Sequence, residues 1–449
     1  MTPLVGVVVV DHNGGALTRR CVESLLALDW PPDRLRVVVV DNASVDQLAP
    51  KLERRDPRLS VVRSDVNLGF GGGCNLGIGH LSDADYVALL NNDAEADAGW
   101  LSPLVEALEA DPTAGAAASK VLFSSPLVEV ELDAPVVVPG RGDGRRLGVR
   151  VMGARVDGTD VWARTQLVDG FWGPEPGPPP YRWTADTALL RVPAPGAEAS
   201  LLLAADRSVP VKLRCGSASA AVDVEREPRW CSIPMSAEPV DVVNSAGVDL
   251  LSGGYGADRG YLEVDGGQYD APAEVFAWSG ASALLSRAYL ESAGLFEERY
   301  FLYYEDLDLA WRGRLRGWRH VYVPASVARH VHAASTGLAS PLQSHYVERN
   351  RLLTLVRDAP AGLAWSAVVR FLLITLSYFR RDVVARVLHG KRPSVAIVGR
   401  RGRSFVAFLG LLPGALVARR RLRRGARFPD RDVGDWMVTA PERVVGTGT

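Results

Sequence analysis

The sequence predicts an α/β chain built on an open parallel sheet, interrupted by an inserted all-β sandwich and followed by a helical, basic C-terminal region. Three observations carry this. Short apolar runs alternate with helical patterns up to about residue 123, β-type runs without a convincing helix fill 126–240, and arginine-rich helical sequence closes the chain. At 449 residues the chain is too long for one compact core, so two or three domains are expected. Hydrophobic residues at 47%, charged residues at 23% and a mean hydropathy of +0.03 exclude wholesale disorder and a polytopic membrane protein.

The first apolar run, Leu4 to Val10, has no helical period and is followed by a polar turn and a helical stretch to about Leu28. A second, Leu35 to Val40, ends in Asp41-Asn42-Ala43-Ser44; a third, Val61 to Arg63, precedes a glycine-rich segment; a fourth, Tyr86 to Leu90, ends in Asn91-Asn92-Asp93. Polar residues at the carboxyl ends of buried strands mark the ligand crevice of an open α/β sheet. Within 126–240, runs such as Leu127 to Val138, Leu147 to Val156 and Val209 to Leu213 are separated by Gly/Pro turns, as in Gly173 to Pro180. From Val242 the α/β style returns, with a glycine-rich loop (Gly247 to Gly267), an apolar stretch (Val275 to Leu285) and a helical pattern from Asp306 to Arg316 ended by Gly317. The expected organisation is a first α/β part at 1–125, the inserted module at 126–240, a second α/β part at 241–358 and a tail at 359–449.

The four cysteines, at 21, 74, 215 and 231, lack metal-ligand spacing, so neither a disulfide scaffold nor a zinc module is expected and a reducing, cytoplasmic setting fits. The N-terminus shows no secretory signal pattern, since its first apolar run is brief and ends at Asp11. The net charge of −1 hides an asymmetry: from Ala361 to Phe428 there are about fifteen Lys/Arg against the single acid Asp382. An acidic body with a basic, apolar tail argues against a nucleic-acid enzyme and for an anionic surface met by one end of the chain. Leu363 to Phe379 carries Arg370 in its middle and Phe405 to Val417 carries Pro413, so neither reads as a good transmembrane helix. They read instead as amphipathic helices on an anionic leaflet, placing the protein peripherally at the inner face of the plasma membrane. The competing reading packs them on the body.

Among the chemistry-bearing residues, Asp93 stands just past a buried strand, where a carboxylate can reach a divalent cation, although turn capping is the commoner use of such a cluster. Asp41 ends its strand in the same way. Asn67 to Asn75, containing Gly69, can bring backbone amides near a ligand but lacks the dinucleotide spacing. Tyr303-Tyr304-Glu305-Asp306-Leu307-Asp308 opens a helix whose dipole favours an ionised carboxylate, able to take a proton from an attacking hydroxyl. For Asp308 helix capping is favoured. His330 and His332 share one strand face, and of the two His330 is the candidate ligand.

Taken in order, Val-Val-Val-Asp41-Asn-Ala-Ser, the Asn67–Asn75 segment, Leu-Asn91-Asn92-Asp93-Ala, Val243-Asn244-Ser245-Ala246-Gly247, Ser279-Gly280-Ala281, Phe301-Leu-Tyr-Tyr-Glu305-Asp306-Leu-Asp308-Leu-Ala-Trp-Arg312 and Arg329-His330 resemble the family 2 inverting glycosyltransferases. The branch most similar is that of bacterial rhamnosyl- and galactofuranosyltransferases. The resemblance implies a GT-A fold, a nucleoside-diphosphate sugar donor (UDP- or dTDP-linked) and a divalent cation, Mg or Mn. It further implies donor binding by Asp11, Asp41, Asn67, Gly69, Asn75, Asn92 and Arg312, metal binding by Asp93 and His330, and catalysis by Asp306 as base with Glu305 beside it. Position 91 departs from the family in being Asn, and Asp11-His12-Asn13 stands where Thr/Ser-Tyr-Asn is commoner. The expected acceptor is a polyprenyl-linked or polysaccharide glycan of the cell wall or surface. Two other functions compete. A sugar nucleotidyltransferase would need an early basic glycine-rich loop, which is not seen, and a non-catalytic glycan-binding protein would consume no sugar nucleotide. Trp162, Trp172 and Trp183 of the module could stack on sugar rings or fill its core.

Overall fold

The computed structural model describes residues 2–46, 49–52, 56–140, 143–175, 177–331 and 340–439. Two compact units emerge: Met1–Leu122, Asn244–Tyr261 and Gly267–Glu442 in one, Phe123–Val243 with Leu262–Gly266 in the other.

In the first unit the valine-rich runs form β1 (Val5–Asp11), β2 (Leu35–Asn42), β3 (Leu59–Ser64) and β4 (Tyr86–Leu90), with β1 parallel to both β2 and β4 and β2 parallel to β3. The continuous apolarity of β1, β2 and β4 reflects burial on both faces, whereas β3, at the sheet edge, is largely half-buried. Val5, Val7 and Val9 enter one core with Val37 and Val39, while Val8 enters the other with Val38 and Val40. Beyond β4 the sheet stops being parallel, because Ser282–Ser286 runs antiparallel to β4 and to Ala114–Phe123. The expectation of a parallel sheet therefore holds for β1–β4 and fails for the strands that follow. The glycine-rich segment is also different from its expected loop form. Gly69–Gly79 is helical, and a Cβ at Gly73 or Gly77 would crowd Val10 or Val8, so these glycines let the helix lie close on β1.

The second unit contains a nine-stranded antiparallel sheet, seven strands forming one path with Ala218–Val224 and Arg229–Pro234 at its ends and two pairing off that path. Alternate residues such as Val128, Val130, Leu132, Leu201 and Leu203 face a single core. The strands expected as a sandwich join into one hydrogen-bonded sheet, because the long strand Tyr181–Pro193 pairs with Leu127–Asp133 along 187–193 and with Arg150–Val156 at Arg182 and Trp183. Leu262–Gly266 belongs to this unit: Val243 N–H donates to Glu263 O at 2.8 Å and Arg191 Nη1 to Leu262 O at 2.8 Å. Trp183 is buried beneath the Arg150 guanidinium and Trp162 packs on the core, while half-buried Trp172 donates its Nε1–H to Arg146 O. The three indoles have separate local roles.

The tail belongs to the first unit instead of standing apart. Phe371 of the Ala361–Phe379 helix and Phe408 and Ala415 of the Ala396–Arg423 helix join its core. The helix beginning at Ala361 continues through a π turn to Leu388, and these 28 residues are apolar and long enough to cross a membrane by length and composition.

Candidate functional site

The carboxyl ends of β1 and β2 lie in register at Asp11 and Asp41, and Asn91 follows β4 directly. Asp11 is fully buried, and its Oδ1 accepts from Thr18 Oγ1 at 2.6 Å, Gly14 N–H at 3.0 Å and Asn92 Nδ2 at 3.1 Å. Asp11 and Asn92 therefore tie the turn after β1 to the end of β4, and their side chains are engaged within the protein instead of facing a donor. Asp41 accepts from Ser44 N–H at 2.8 Å through Oδ1, while Oδ2 has Arg63 at 3.6 Å and keeps acceptor capacity.

The other residues expected to bind the donor also make contacts within the protein. Asn67 Oδ1 accepts from Asn42 Nδ2 at 3.0 Å and from Gly69 N–H at 2.9 Å, building the turn into the glycine helix. Gly69 sits at φ 73°, and a Cβ there would overlap Phe301 O, the acceptor of Phe70 N–H at 2.7 Å. It fits the glycine helix against the 301–306 segment. Asn75 clamps Phe296 through both ends of its amide, at 3.0 and 2.9 Å. Arg312 is buried against Asp308 at 2.9 Å and donates to the carbonyls of Ala293 and Leu295, so it is an internal brace.

The expected metal pair does come together. His330 Nε2 lies 3.0 Å from Asp93 Oδ1, and His330 Nδ1 lies 3.0 Å from Asn244 Oδ1. An amide oxygen can only accept, so Nδ1 carries the hydrogen and Nε2 turns toward a carboxylate that also only accepts. Such a facing pair is completed by a proton or a cation. Asn91 Nδ2, 3.3 Å from Nε2, borders it. Imidazole nitrogen and carboxylate oxygen suit a divalent transition ion, so these residues fit the group the family uses. Among the described residues no cluster of three or more His, Cys, Asp or Glu side chains could hold a metal. Asp93 and His330 would supply two ligands to such an ion. His332 lies outside the described residues.

Opposite in character is the segment entering the Glu305–Leu315 helix. Phe301, Tyr303 and Tyr304 all have positive φ, at 66°, 68° and 74°. Side chains of this kind pay for left-handed backbone, so the conformation must be held from outside. Asn350, fully buried on the Pro341–Asp358 helix, donates to the carbonyls of Tyr300, Leu302 and Tyr303 at 3.0, 2.8 and 2.7 Å, and Arg349 braces Asn350 and Tyr300. The turn directs Asp306 so that Oδ2 accepts from Gly280 N–H at 3.0 Å and Oδ1 from Leu307 N–H at 2.7 Å. Burial raises the Asp306 pKa above the usual aspartate value, and these backbone donors temper the rise. Glu305 is buried, its Oε2 has no hydrogen-bond partner, and burial together with the Asp306 charge pushes its pKa well up. Glu305 is buried and Asp306 only half-buried, so Asp306 is the more accessible of the two carboxyls. Asp308 is also fully buried, but it receives the side chains of Arg312 and Tyr300 inside the helix and caps no backbone N–H, so it braces the helix where capping was expected.

Sequence reasoning missed three contributors: Asn244, which orients His330; Asn350, which holds the turn; and Asp258. Burial pushes Asp258 up to about 6, opposed by a hydrogen bond from Ser245, and the charges of Asp306 and His330 both act on it. One acid thus senses the proposed base and the histidine of the cation pair. Asn244 stood within a quoted motif and Asp258 within the glycine-rich loop, but neither carried a local signal for its partner.

Residues 6–137 match the family model Glycosyl transferase family 2. The first α/β part of the chain is thus similar to a family 2 glycosyltransferase domain. With the β1–β4 sheet, the match supports a GT-A-like fold. N-acetylglucosaminyl-diphospho-decaprenol L-rhamnosyltransferase of Mycobacterium tuberculosis is 39% identical over 97 residues, 21% of this chain and 30% of that protein. Beta-monoglucosyldiacylglycerol synthase of Synechocystis sp. is 27% identical over 187 residues, 37% of this chain and 38% of that one. The chain therefore spans about a third of the length of these curated relatives. A mannosyltransferase from Pyrobaculum calidifontis, solved in complex with GDP-Man and Mn2+, is similar with a TM-score of 0.39 and 16% identity over 97% of this chain and 79% of that one. The match ends within the second unit, and Asp306 and His330 lie beyond the matched residues.

Proposed function

We propose that the protein is an inverting glycosyltransferase that moves a rhamnose- or galactofuranose-like sugar from a UDP- or dTDP-linked donor to a hydroxyl of a lipid-linked or polysaccharide acceptor in cell-wall or surface glycan synthesis. The observation that carries this reading is the acid set of the crevice: Asp93 with His330 on one side, Asp306 on the other, and Asp258 within electrostatic reach of both Asp306 and His330. Asp93 and His330 would hold Mg or Mn, which when bound supplies positive charge to the departing diphosphate. Asp41 accepts hydrogen bonds from the nucleoside. Asp306, fixed by two backbone amides and raised in pKa, takes the proton from the acceptor hydroxyl as that oxygen attacks the anomeric carbon. Attack opposite to the leaving diphosphate inverts the centre in one displacement, and an in-line geometry needs no nucleophile from the protein.

The sugar and acceptor are supported by the rhamnosyltransferase relative, whose name specifies a polyprenyl-linked saccharide. The tail's basic excess and its exposed apolar residues, among them Trp365 and Leu373, support a peripheral position on an anionic membrane at the cytoplasmic face. The test is a panel of UDP-, dTDP- and GDP-sugars with a polyprenyl-linked acceptor, scored for metal-dependent nucleoside diphosphate release and for product anomer. Inverted product from one donor is expected. Release of pyrophosphate from a nucleoside triphosphate, or sugar-nucleotide stability under all conditions, would contradict the reading.

A further inference from the structure

A cavity of about 590 Å³ in the first unit, lined by residues of the Ala396–Arg423 helix and of the Ala293–Arg312 region, has no part in the transfer chemistry. Its polar wall carries Arg299, Arg312, Arg357 and Arg421 against the single carboxylate Glu297. Glu297 is engaged by Arg299 at 2.6 Å and by Arg357 at 2.6 Å, and the buried Asp308 behind the wall answers Arg312 at 2.9 Å and Arg357 at 3.3 Å, with the buried Asp358 also acting on Arg357, which leaves Arg421 as the one arginine of the four with no carboxylate paired to it among the described residues. Positive charge remains in excess, and Arg421, at the exposed edge, brings it to the surface. Gly414 makes room for this arrangement, since a Cβ there would overlap Arg299 Nη1.

The opposite wall is apolar and leads outward. Pro413 and Val417 line the cavity, and they share a helix face with Val406, Leu409 and Leu416, four of these five being large exposed hydrophobics. Phe408 and Ala415 occupy the other, buried face. A site with a guanidinium-rich end and an apolar runway suits a ligand with one anionic oxygen-rich end and a long apolar chain. A free phosphate would answer the arginines and leave the runway in water.

We propose that this cavity binds the phosphate headgroup of an anionic membrane phospholipid, with its acyl chains laid along the outward face of the Ala396–Arg423 helix. The proposal rests on the membrane-surface part of the functional reading and adds a defined lipid site to diffuse attraction by the tail. Such a site would fix how deeply and in which orientation the first unit sits on the leaflet.

The test is calorimetry of the full chain with dihexanoylphosphatidylglycerol below its micellar concentration, beside dihexanoylphosphatidylcholine and glycerol 1-phosphate. Binding of the first is expected, at least fivefold weaker for the second and at least tenfold weaker for the third. Ala418→Trp, which fills the cavity without changing charge, should weaken it at least tenfold, and Arg421→Gln, at an exposed position, at least threefold. Should Ala418→Trp disturb the fold, seen as a lowered melting temperature, Arg421→Gln decides. Equal binding by wild type and Arg421→Gln, equal binding by a folded Ala418→Trp, or glycerol 1-phosphate binding as tightly as the lipid would overturn the proposal. Cosedimentation with phosphatidylglycerol vesicles separates the two levels. Wild-type chain that binds vesicles but not the short-chain lipid removes the pocket and leaves membrane association standing, whereas wild type that stays in the supernatant at low salt removes membrane association itself.

Discussion

The two walls of the crevice are built in opposite ways. At the ends of β1, β2 and β4 the polar side chains are answered by close partners, as Asp11 is by three donors. At residues 301–306 three non-glycine residues hold left-handed backbone, and burial raises the pKa of both Glu305 and Asp306. The first wall is held in place by its own hydrogen bonds. The second holds strain and uncomfortable carboxyls, and it persists because Asn350 and Arg349 hold it from the neighbouring helix. A binding wall can be made from satisfied groups, but a proton acceptor working near neutral pH needs an environment that disfavours its charge.

Substitutions that act on one wall alone sharpen this contrast. The largest expected effect is on the reactive wall: Asp306→Asn should lower transfer by about 1000-fold or more while donor affinity changes only a few-fold, because the amide keeps shape and loses basicity. On the binding wall, Asp93→Ala should lower Mn-dependent donor affinity by about 10–100-fold, measured calorimetrically, with no such loss when metal is omitted. Asn350→Ala removes the donor of three carbonyls and should cost about 2–3 kcal/mol in denaturant unfolding and lower kcat more than donor KM. A change in KM alone would show that the strained turn serves binding.

The smallest effect is a pH signature. Asp258, at about 6 in the folded protein, lies above the ordinary 3.8, so the folded state binds its proton more tightly than the unfolded one. Its favourable contribution is complete below about pH 4 and is lost as pH rises through 6. Asp258→Asn, which mimics the protonated acid, should raise the melting temperature by about 2 °C at pH 8 in metal-free buffer and leave it unchanged at pH 4. A variant less stable than wild type at pH 8 would reverse the sign and place a stabilising cation partner beside Asp258.

The parallel β1–β4 core was legible because strands buried on both faces must be continuously apolar, as Val5 to Val10 and Val37 to Val40 are. The single hydrogen-bonded sheet of the second unit was not, since alternation along Leu127–Asp133 or Val209–Cys215 is the same whether the strands join one sheet or two. Asp93 and His330 were legible as a pair only through the ordered motifs, being 237 residues apart. Asn75 was misread because an amide beside glycines looks the same whether it meets a ligand or Phe296, 221 residues away. Arg312 was misread for a related reason: its partner Asp308, one helical turn earlier, makes it a buried brace, and spacing does not reveal burial. Asn350 lies in an otherwise ordinary helix, and its role appears only once the strained turn is folded against it.

The most direct test compares the adjacent carboxyls under single-turnover conditions with the competent donor and acceptor at saturation. Asp306→Asn and Glu305→Gln are assayed side by side across pH 5–9, with donor binding measured on the same preparations. Wild type should gain rate as pH rises through a pKa above the usual aspartate range, Glu305→Gln should keep that profile within about tenfold of wild type, and Asp306→Asn should bind donor yet transfer no sugar at any pH. Near wild-type transfer by Asp306→Asn, with the pH-dependent limb lost in Glu305→Gln, would contradict the assignment of Asp306 as the base.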